Sequence, residues 1–137
     1  MEKIKIQCHN ISKTFIQKGK MEVPVIRDTN LTVRENEFLV ILGPGQCGKS
    51  TLLRIIAGLE IPDHGFVTMH DGPVTGPGPD RGIVFQGYML LAWKTVLGNV
   101  ELGPKLRGVP KGERREIAMH YLDLVGLKGF ENHYPHQ

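Results

Sequence analysis

The sequence predicts an α/β fold in which a buried strand, a glycine-rich loop and a helix follow one another. Phe38–Leu42 is apolar at every position, which is typical of a strand covered on both faces, as in a parallel sheet. Gly43–Gly48 is then expected to form a loop. From Lys49 onward the apolar residues recur at helical spacing. They are Leu52, Ile55, Ile56 and Leu59.

Antiparallel strands are expected on either side of this unit. The stretches 4–8 and 31–33 alternate apolar and polar residues, which is the pattern of half-buried strands. An exposed hairpin turn is predicted between them at 18–20. The stretch 67–69 alternates in the same way and precedes a turn at 71–72.

The first helix and the segment after it have clear stop signals. Gly58 is expected to adopt the left-handed conformation that ends the helix, and Pro62 prevents its continuation. The glycines and prolines of 76–79 predict a loop. The apolar stretch 83–85 predicts a second short strand, which ends at the polar Gln86.

From Gly87 onward the chain is predicted to be mostly helical. The clearest helix is 111–127, closed by Gly126. Its predicted apolar face consists of Ile117, Ala118, Tyr121, Leu122 and Val125.

Composition and charge place the chain among ordinary globular proteins. It has 137 residues, of which 40% are hydrophobic and 23% charged, so disordered and collagen-like classes are excluded. The net charge of +3 suits anionic ligands and is too small to indicate nucleic-acid binding. No apolar run approaches the roughly 20 residues of a membrane span. Without a secretion signal or metal-ligand spacing, Cys8 and Cys47 are expected to stay reduced in a cytosol.

The loop matches a phosphate-binding motif. Gly43–Ser50 reads GPGQCGKS, which fits the P-loop pattern G-x-x-x-x-G-K-[ST]. Glycines let backbone N–H groups point at phosphate oxygens, and the following helix adds the positive end of its dipole. Lys49 is expected to reach the β- and γ-phosphates, and the Ser50 hydroxyl suits Mg²⁺. An accidental glycine-rich turn is the alternative, which the flanking strand and helix disfavour.

We therefore expect a nucleotide and Mg²⁺ to bind at this loop, and the resemblance described below implies that the nucleotide is ATP. The residues expected to hold the nucleotide phosphates are Gly43, Pro44, Gly45, Gln46, Cys47, Gly48, Lys49, Ser50 and Thr51. The loop N–H groups and the positive end of the helix dipole are also expected to favour the Cys47 thiolate and to make this thiol reactive.

With these residues in view, the whole sequence resembles the ATP-binding subunit of an ABC transporter. The loop GPGQCGKST followed by LLRIIAGLE is the strongest match, and PDHGFV and the strand ending at Gln86 follow in the family's order. The stretches 76–82, 90–93 and 106–110 and the terminal YPHQ resemble the nitrate, sulfonate and taurine importer branch. Ala92 is a departure, because that branch usually has proline there.

The resemblance implies a division of the chain into three parts. Residues 1–35 and 64–75 would form an antiparallel β piece, and 36–63 and 76–86 the P-loop core with an incomplete core sheet. Residues 87–137 would begin a helical subdomain. The stretch 88–100 would either pack internally or face a membrane subunit.

The resemblance also implies roles for two residues outside the loop. Phe15 would stack on adenine, although a core aromatic is the alternative. Gln86 would help to bind Mg²⁺ and sense the transmembrane partner, although it could simply cap the strand end.

The implied partners are transmembrane permease subunits and a second ATP-binding subunit, with a solute-binding protein acting indirectly and no nucleic acid. The chain would be cytoplasmic and peripheral on the inner face of the cell membrane.

The resembled family carries further motifs after YPHQ that this sequence lacks: a signature, a Mg²⁺-binding Asp with the catalytic Glu, and a switch His. No catalytic residue is therefore expected in the chain. It is expected to be an ATPase subunit, or part of one, that drives import of a small solute. The alternative is a truncated fragment that binds nucleotide without hydrolysing it. A P-loop kinase or GTPase is disfavoured by the segment Phe85–Gln86 and by the run VTGPGPDRG.

Overall fold

The computed structural model describes residues 3–17, 19, 21–70, 72–87 and 89–137. The chain divides into two units, residues 1–84 and 85–137. In the described residues, the first unit carries an antiparallel sheet and one helix, and the second carries three helices.

The sheet of the first unit has the strand order β2-β1-β3-β4, and every neighbouring pair is antiparallel. The strands are β1 (Ile4–Gln17), β2 (Met21–Arg34), β3 (His64–Met69) and β4 (Gly72–Pro73). The alternating stretches therefore predicted strands correctly. Residues 18, 20 and 71 of the two predicted turns lie outside the described residues.

Helix α1 (Lys49–Ile56) packs its apolar side on this sheet. The buried cluster that joins them consists of Cys8, Ile11, Ile26, Leu52, Ile55 and Val67. Burying an aliphatic side chain of this size stabilises a fold by roughly 1.5–3 kcal/mol. The packing therefore holds the N-terminus of α1, and the loop before it, against β1 and β2.

The end of α1 follows the sequence prediction. Gly58 adopts a φ of 75°. Its N–H donates to the Ile55 carbonyl at 3.0 Å, and the Leu59 N–H donates to the Arg54 carbonyl at 2.8 Å. These two bonds form the left-handed glycine motif that closes many helices.

The segment that follows the sheet folds back onto this helix end. The Arg81 guanidinium donates to the Ala57 carbonyl at 3.3 Å and to the Gly76 carbonyl, and it pairs with Asp80 at 2.7 Å. One half-buried side chain thus ties the glycine- and proline-rich loop to the C-terminus of α1.

The two predicted core strands, 38–42 and 83–85, are not formed. Neither segment is paired with another strand of the described residues. Phe38 is 92% exposed, Leu42 88% and Val84 99%. These predictions were wrong for this chain because a strand exists only with a hydrogen-bonded neighbour, which an apolar run does not itself provide.

The second unit contains α2 (Val96–Val100), α3 (Leu102–Leu106) and α4 (Lys111–Leu124). Its buried cluster consists of Leu97, Ala118 and Leu122. None of the helices in the described residues has the length and apolarity needed to cross a membrane.

The helix predicted at 111–127 is confirmed as α4, with two corrections. It ends at Leu124, and Gly126 takes a left-handed φ of 74° beyond the end. Tyr121 and Val125, predicted on the packed face, are mostly exposed. A unit of three short helices covers only a narrow stripe of α4, so part of the predicted apolar face stays uncovered.

Candidate functional site

The glycine-rich loop leads directly into the N-terminus of α1. Gln46 and Gly48 both adopt left-handed conformations, with φ values of 63° and 95°. A Cβ atom at Gly48 would lie 2.7 Å from the Val25 carbonyl oxygen, so the close approach of the loop to β2 requires glycine. In the described part of the chain, no side chain caps the start of α1 by a hydrogen bond. Because the first N–H groups of a helix lack intrahelical acceptors, this end of α1 offers donors to an anion.

The Lys49 ammonium is held inside the loop. Its Nζ donates to the Gly43 carbonyl at 2.8 Å and to the Pro44 carbonyl at 2.6 Å, and lies 3.4 Å from the Cys47 Sγ. An ammonium has three donors, and all three are directed at the loop. An entering phosphate would therefore meet a positive charge that is already positioned.

Cys47 lies inside the loop beside this ammonium. The thiol is exposed, which excludes packing in the core. A Cβ atom at Gly43 would lie 3.0 Å from its sulfur. A bulky group on Cys47 would consequently fill the space that the loop encloses.

A cleft of about 260 Å³ opens beside the loop. Its walls are formed by Phe15 of β1, Val25 of β2 and the consecutive residues 46–51. The structure thus brings Phe15 to the same cleft as Lys49, Ser50 and Thr51. No acidic side chain is among the described residues that line it.

The remaining predicted site residues are placed differently. Gly43 and Pro44 contribute the carbonyls that hold Lys49, while Gly45 has open space around its α-carbon. Gln86 lies in the second unit with its side chain exposed. The shared Mg²⁺ role of Ser50 and Gln86 stays a prediction.

Sequence reasoning missed two charged residues behind Phe15. The Lys13 Nζ lies over the Phe15 ring, 5.4 Å from its centroid, and pairs with Asp63 at 3.3 Å. A hydrogen bond from Lys13 to Glu60 raises the pKa of the lysine. The Thr14 backbone N–H lowers the pKa of the Asp63 carboxyl. No local signal marks this pair, because the two residues are separated by 50 positions.

Comparison with known proteins identifies the family. The ABC transporter family model matches residues 26–137. The chain belongs to the ABC transporter family. It is similar to an uncharacterized ABC transporter ATP-binding protein of Methanocaldococcus jannaschii, with 51% identity over 135 residues, 98% of this chain and 50% of that protein.

Two named relatives are import proteins. The taurine import ATP-binding protein TauB of Yersinia pestis is 45% identical over 111 residues, 81% of this chain and 44% of its own length. The nitrate import ATP-binding protein NrtD of Synechocystis is 42% identical over 132 residues, 96% of this chain and 49% of its own. The chain spans about half the length of the curated relatives it matches.

Solved structures show the same fold. The chain resembles a dimeric bacterial ABC transporter cassette with a TM-score of 0.85 and 32% identity, covering 96% of this chain and 62% of that one. A dimeric post-hydrolysis cassette bound to ADP and Pi gives a TM-score of 0.81 at the same identity and coverage. The predicted fold class, an ABC-type P-loop NTPase of which the chain forms part, is confirmed.

Proposed function

We propose that the chain is a nucleotide-binding portion of an ABC transporter ATPase and that it binds ATP with Mg²⁺ at the glycine-rich loop. The observation that carries this proposal is the Lys49 ammonium, held by two loop carbonyls at the uncapped N-terminus of α1. A fixed cation beside free helix N–H groups is a site for phosphate. The cassette bound to ADP and Pi supports the same assignment.

The residues around the cleft have different proposed roles in nucleotide binding. Residues 43–51 hold the phosphates, with Lys49 supplying the charge, and Phe15 stacks on the adenine. Ser50 supplies an oxygen ligand to Mg²⁺, which screens the phosphate charge when bound. Ser50 lines the cleft, and its hydroxyl is the kind of hard oxygen donor that this ion prefers. The Mg²⁺ role of Gln86 rests on the family resemblance alone.

The whole protein, in this proposal, energises import of a small solute of the nitrate, sulfonate or taurine kind. The names of the taurine and nitrate relatives support this, as do the stretches 76–82 and 90–93. Residues from 87 onward would begin the helical subdomain. The ATPase would work from the cytoplasmic face of the membrane beneath permease subunits, with a solute-binding protein acting indirectly. The dimeric cassettes support pairing with a second ATP-binding subunit.

A surface of the second unit supports a permease contact. Met89, Leu90 and Trp93 are exposed apolar side chains in one short stretch. The Asn99 side-chain amide holds this turn, accepting from the Leu91 N–H at 2.8 Å and donating to the Leu91 carbonyl at 3.1 Å. An ordered turn that presents large apolar groups is suited to contact with another protein.

We further propose that these 137 residues bind ATP without turning it over. No described acidic side chain lines the cleft, so no described carboxylate there can polarise an attacking water. Phosphoryl transfer depends on such positioning and on electrostatic stabilisation.

The test combines binding with phosphate release. Titration calorimetry should show MgATP binding that is lost in Lys49→Ala, and a phosphate-release assay should show no turnover above buffer. Lys3→Ala, which removes an exposed lysine of the same unit, serves as the control. Absence of binding in the wild type would refute the binding proposal. Release that disappears in Lys49→Ala would refute the non-hydrolytic one.

A further inference from the structure

A charged cluster ties the strand that carries Phe15 to the segment that follows α1. The Lys13 Nζ lies 2.8 Å from a Glu60 carboxylate oxygen and 3.3 Å from an Asp63 carboxylate oxygen. It also donates to the Ile61 carbonyl at 2.7 Å. The lysine side chain is only 12% exposed. We call Lys13, Glu60, Asp63 and the Ile61 carbonyl the Lys13 clamp.

Asp63 fixes the backbone on both sides of Lys13. Its carboxylate accepts from the Thr14 N–H at 2.6 Å, and its own N–H donates to the Ser12 carbonyl at 2.9 Å. Bonds to backbone groups on both flanks hold the strand in one register relative to residues 60–63. Those residues follow the closed end of α1, so the clamp joins the strand to the helix that starts at the phosphate loop.

The clamp also contacts the aromatic ring. The Lys13 ammonium lies over Phe15 at 5.4 Å from the ring centroid. A cation is attracted to the negative face of an aromatic ring, so this contact restrains the ring. One face of Phe15 is therefore occupied by the ammonium. A nucleotide base in the cleft would stack on the opposite face.

The Lys13 ammonium is paired with groups outside the phosphate loop. Two carboxylates and a carbonyl already accept from its three donors, whereas the loop has its own cation in Lys49. The hydrogen bond to Glu60 raises the pKa of Lys13, so the lysine stays protonated at neutral pH. Lys13 is thus held in the clamp beside the ring, whereas Lys49 is the cation of the phosphate loop itself.

We propose that Lys13 and Asp63 are positioning residues that hold the Phe15 ring in place to stack on the nucleotide base. This rests on the proposed nucleotide binding. Loss of the clamp should then weaken recognition of the base and leave recognition of the triphosphate unchanged.

The experiment compares two ligands, MgATP and magnesium tripolyphosphate, by titration calorimetry on the full 137-residue chain. In Lys13→Met and Asp63→Asn we expect ATP affinity to fall about three- to tenfold while tripolyphosphate affinity stays within about twofold. Lys13→Arg keeps a cation above the ring and should restore ATP affinity. Lys3→Met, which removes the exposed ion pair with Glu35 at 3.4 Å, should leave the affinity for both ligands unchanged.

A second set of variants, made in the Phe15→Leu protein, tests whether Lys13 acts through the Phe15 ring. Phe15→Leu alone should remove the preference for ATP over tripolyphosphate, and adding Lys13→Met to it should cause no further loss. Variants that lower the affinity for both ligands equally would overturn the positioning role without contradicting the proposed nucleotide binding. So would a full effect of Lys13→Met in the Phe15→Leu background. A wild type that binds neither ligand would instead overturn the proposed function, and the clamp proposal with it.

Discussion

The glycine-rich loop and the apolar segment directly before it, Phe38–Leu42, differ sharply although they are neighbours in the chain. In the loop, Lys49 is held by carbonyls only five and six residues away. The apolar segment has no strand partner among the described residues, and its ends are exposed to solvent. A loop that makes its contacts within a few residues forms from local sequence, whereas a strand depends on a distant partner.

The largest expected effect is a difference in the free energy of unfolding between alanine variants of two leucines. Leu52 is buried against the sheet, so Leu52→Ala should lower the free energy of unfolding by about 2–5 kcal/mol. Leu42 is exposed, so Leu42→Ala should change it by no more than about 0.5 kcal/mol. Urea unfolding followed by circular dichroism measures both. A Leu42 variant as damaged as the Leu52 variant would show that the segment is packed.

The next effect concerns nucleotide binding at the loop. Lys49→Ala should weaken ATP affinity roughly 100-fold, because charge-assisted hydrogen bonds to the phosphates are lost. The free energy of unfolding should change little, because the ammonium bonds only groups of its own loop. Affinity that survives in this variant would place the phosphates elsewhere.

A smaller effect separates the two cysteines. Cys47 is exposed in the loop and should react with a maleimide, while Cys8 is buried in the core and should not. Bound MgATP should slow the labelling of Cys47, and peptide mapping reports each thiol separately. Equal labelling of Cys47 with and without bound ATP would contradict its placement beside the phosphates.

The smallest effect is a pH dependence of the packed region. Burial raises the pKa of the Cys8 thiol from 9.0 to about 11. Between these values the unfolded chain loses a proton that the folded chain keeps, so stability should fall as pH rises above 9.0. Urea unfolding at several pH values in this range measures the free energy of unfolding. It should fall with pH in Cys47→Ser, which keeps the buried thiol, and fall less in Cys8→Val, which lacks it. An equal decline in both variants would assign it to other groups.

Local sequence predicted most of the first unit. Alternation identified parts of β1, β2 and β3, and helical spacing with Gly58 identified α1 and its end. The loop motif was recognisable because its defining residues stand at fixed spacing within eight consecutive positions. Resemblance alone pointed to Phe15, since no local pattern connects a strand residue to a loop that begins 28 positions later.

The sequence by itself therefore determined those elements whose hydrogen bonds and side-chain spacing repeat over a few residues. Only the tertiary structure decided which apolar segments find a partner, because strand pairing joins segments remote in the chain. Among the residues that the structure describes, it left 38–42 and 83–85 without a strand partner, exposed Tyr121 and Val125, and brought Lys13 to Asp63. Each of these outcomes depends on which residues pack against a segment in the folded chain. The spacing of apolar residues within that segment does not specify those neighbours.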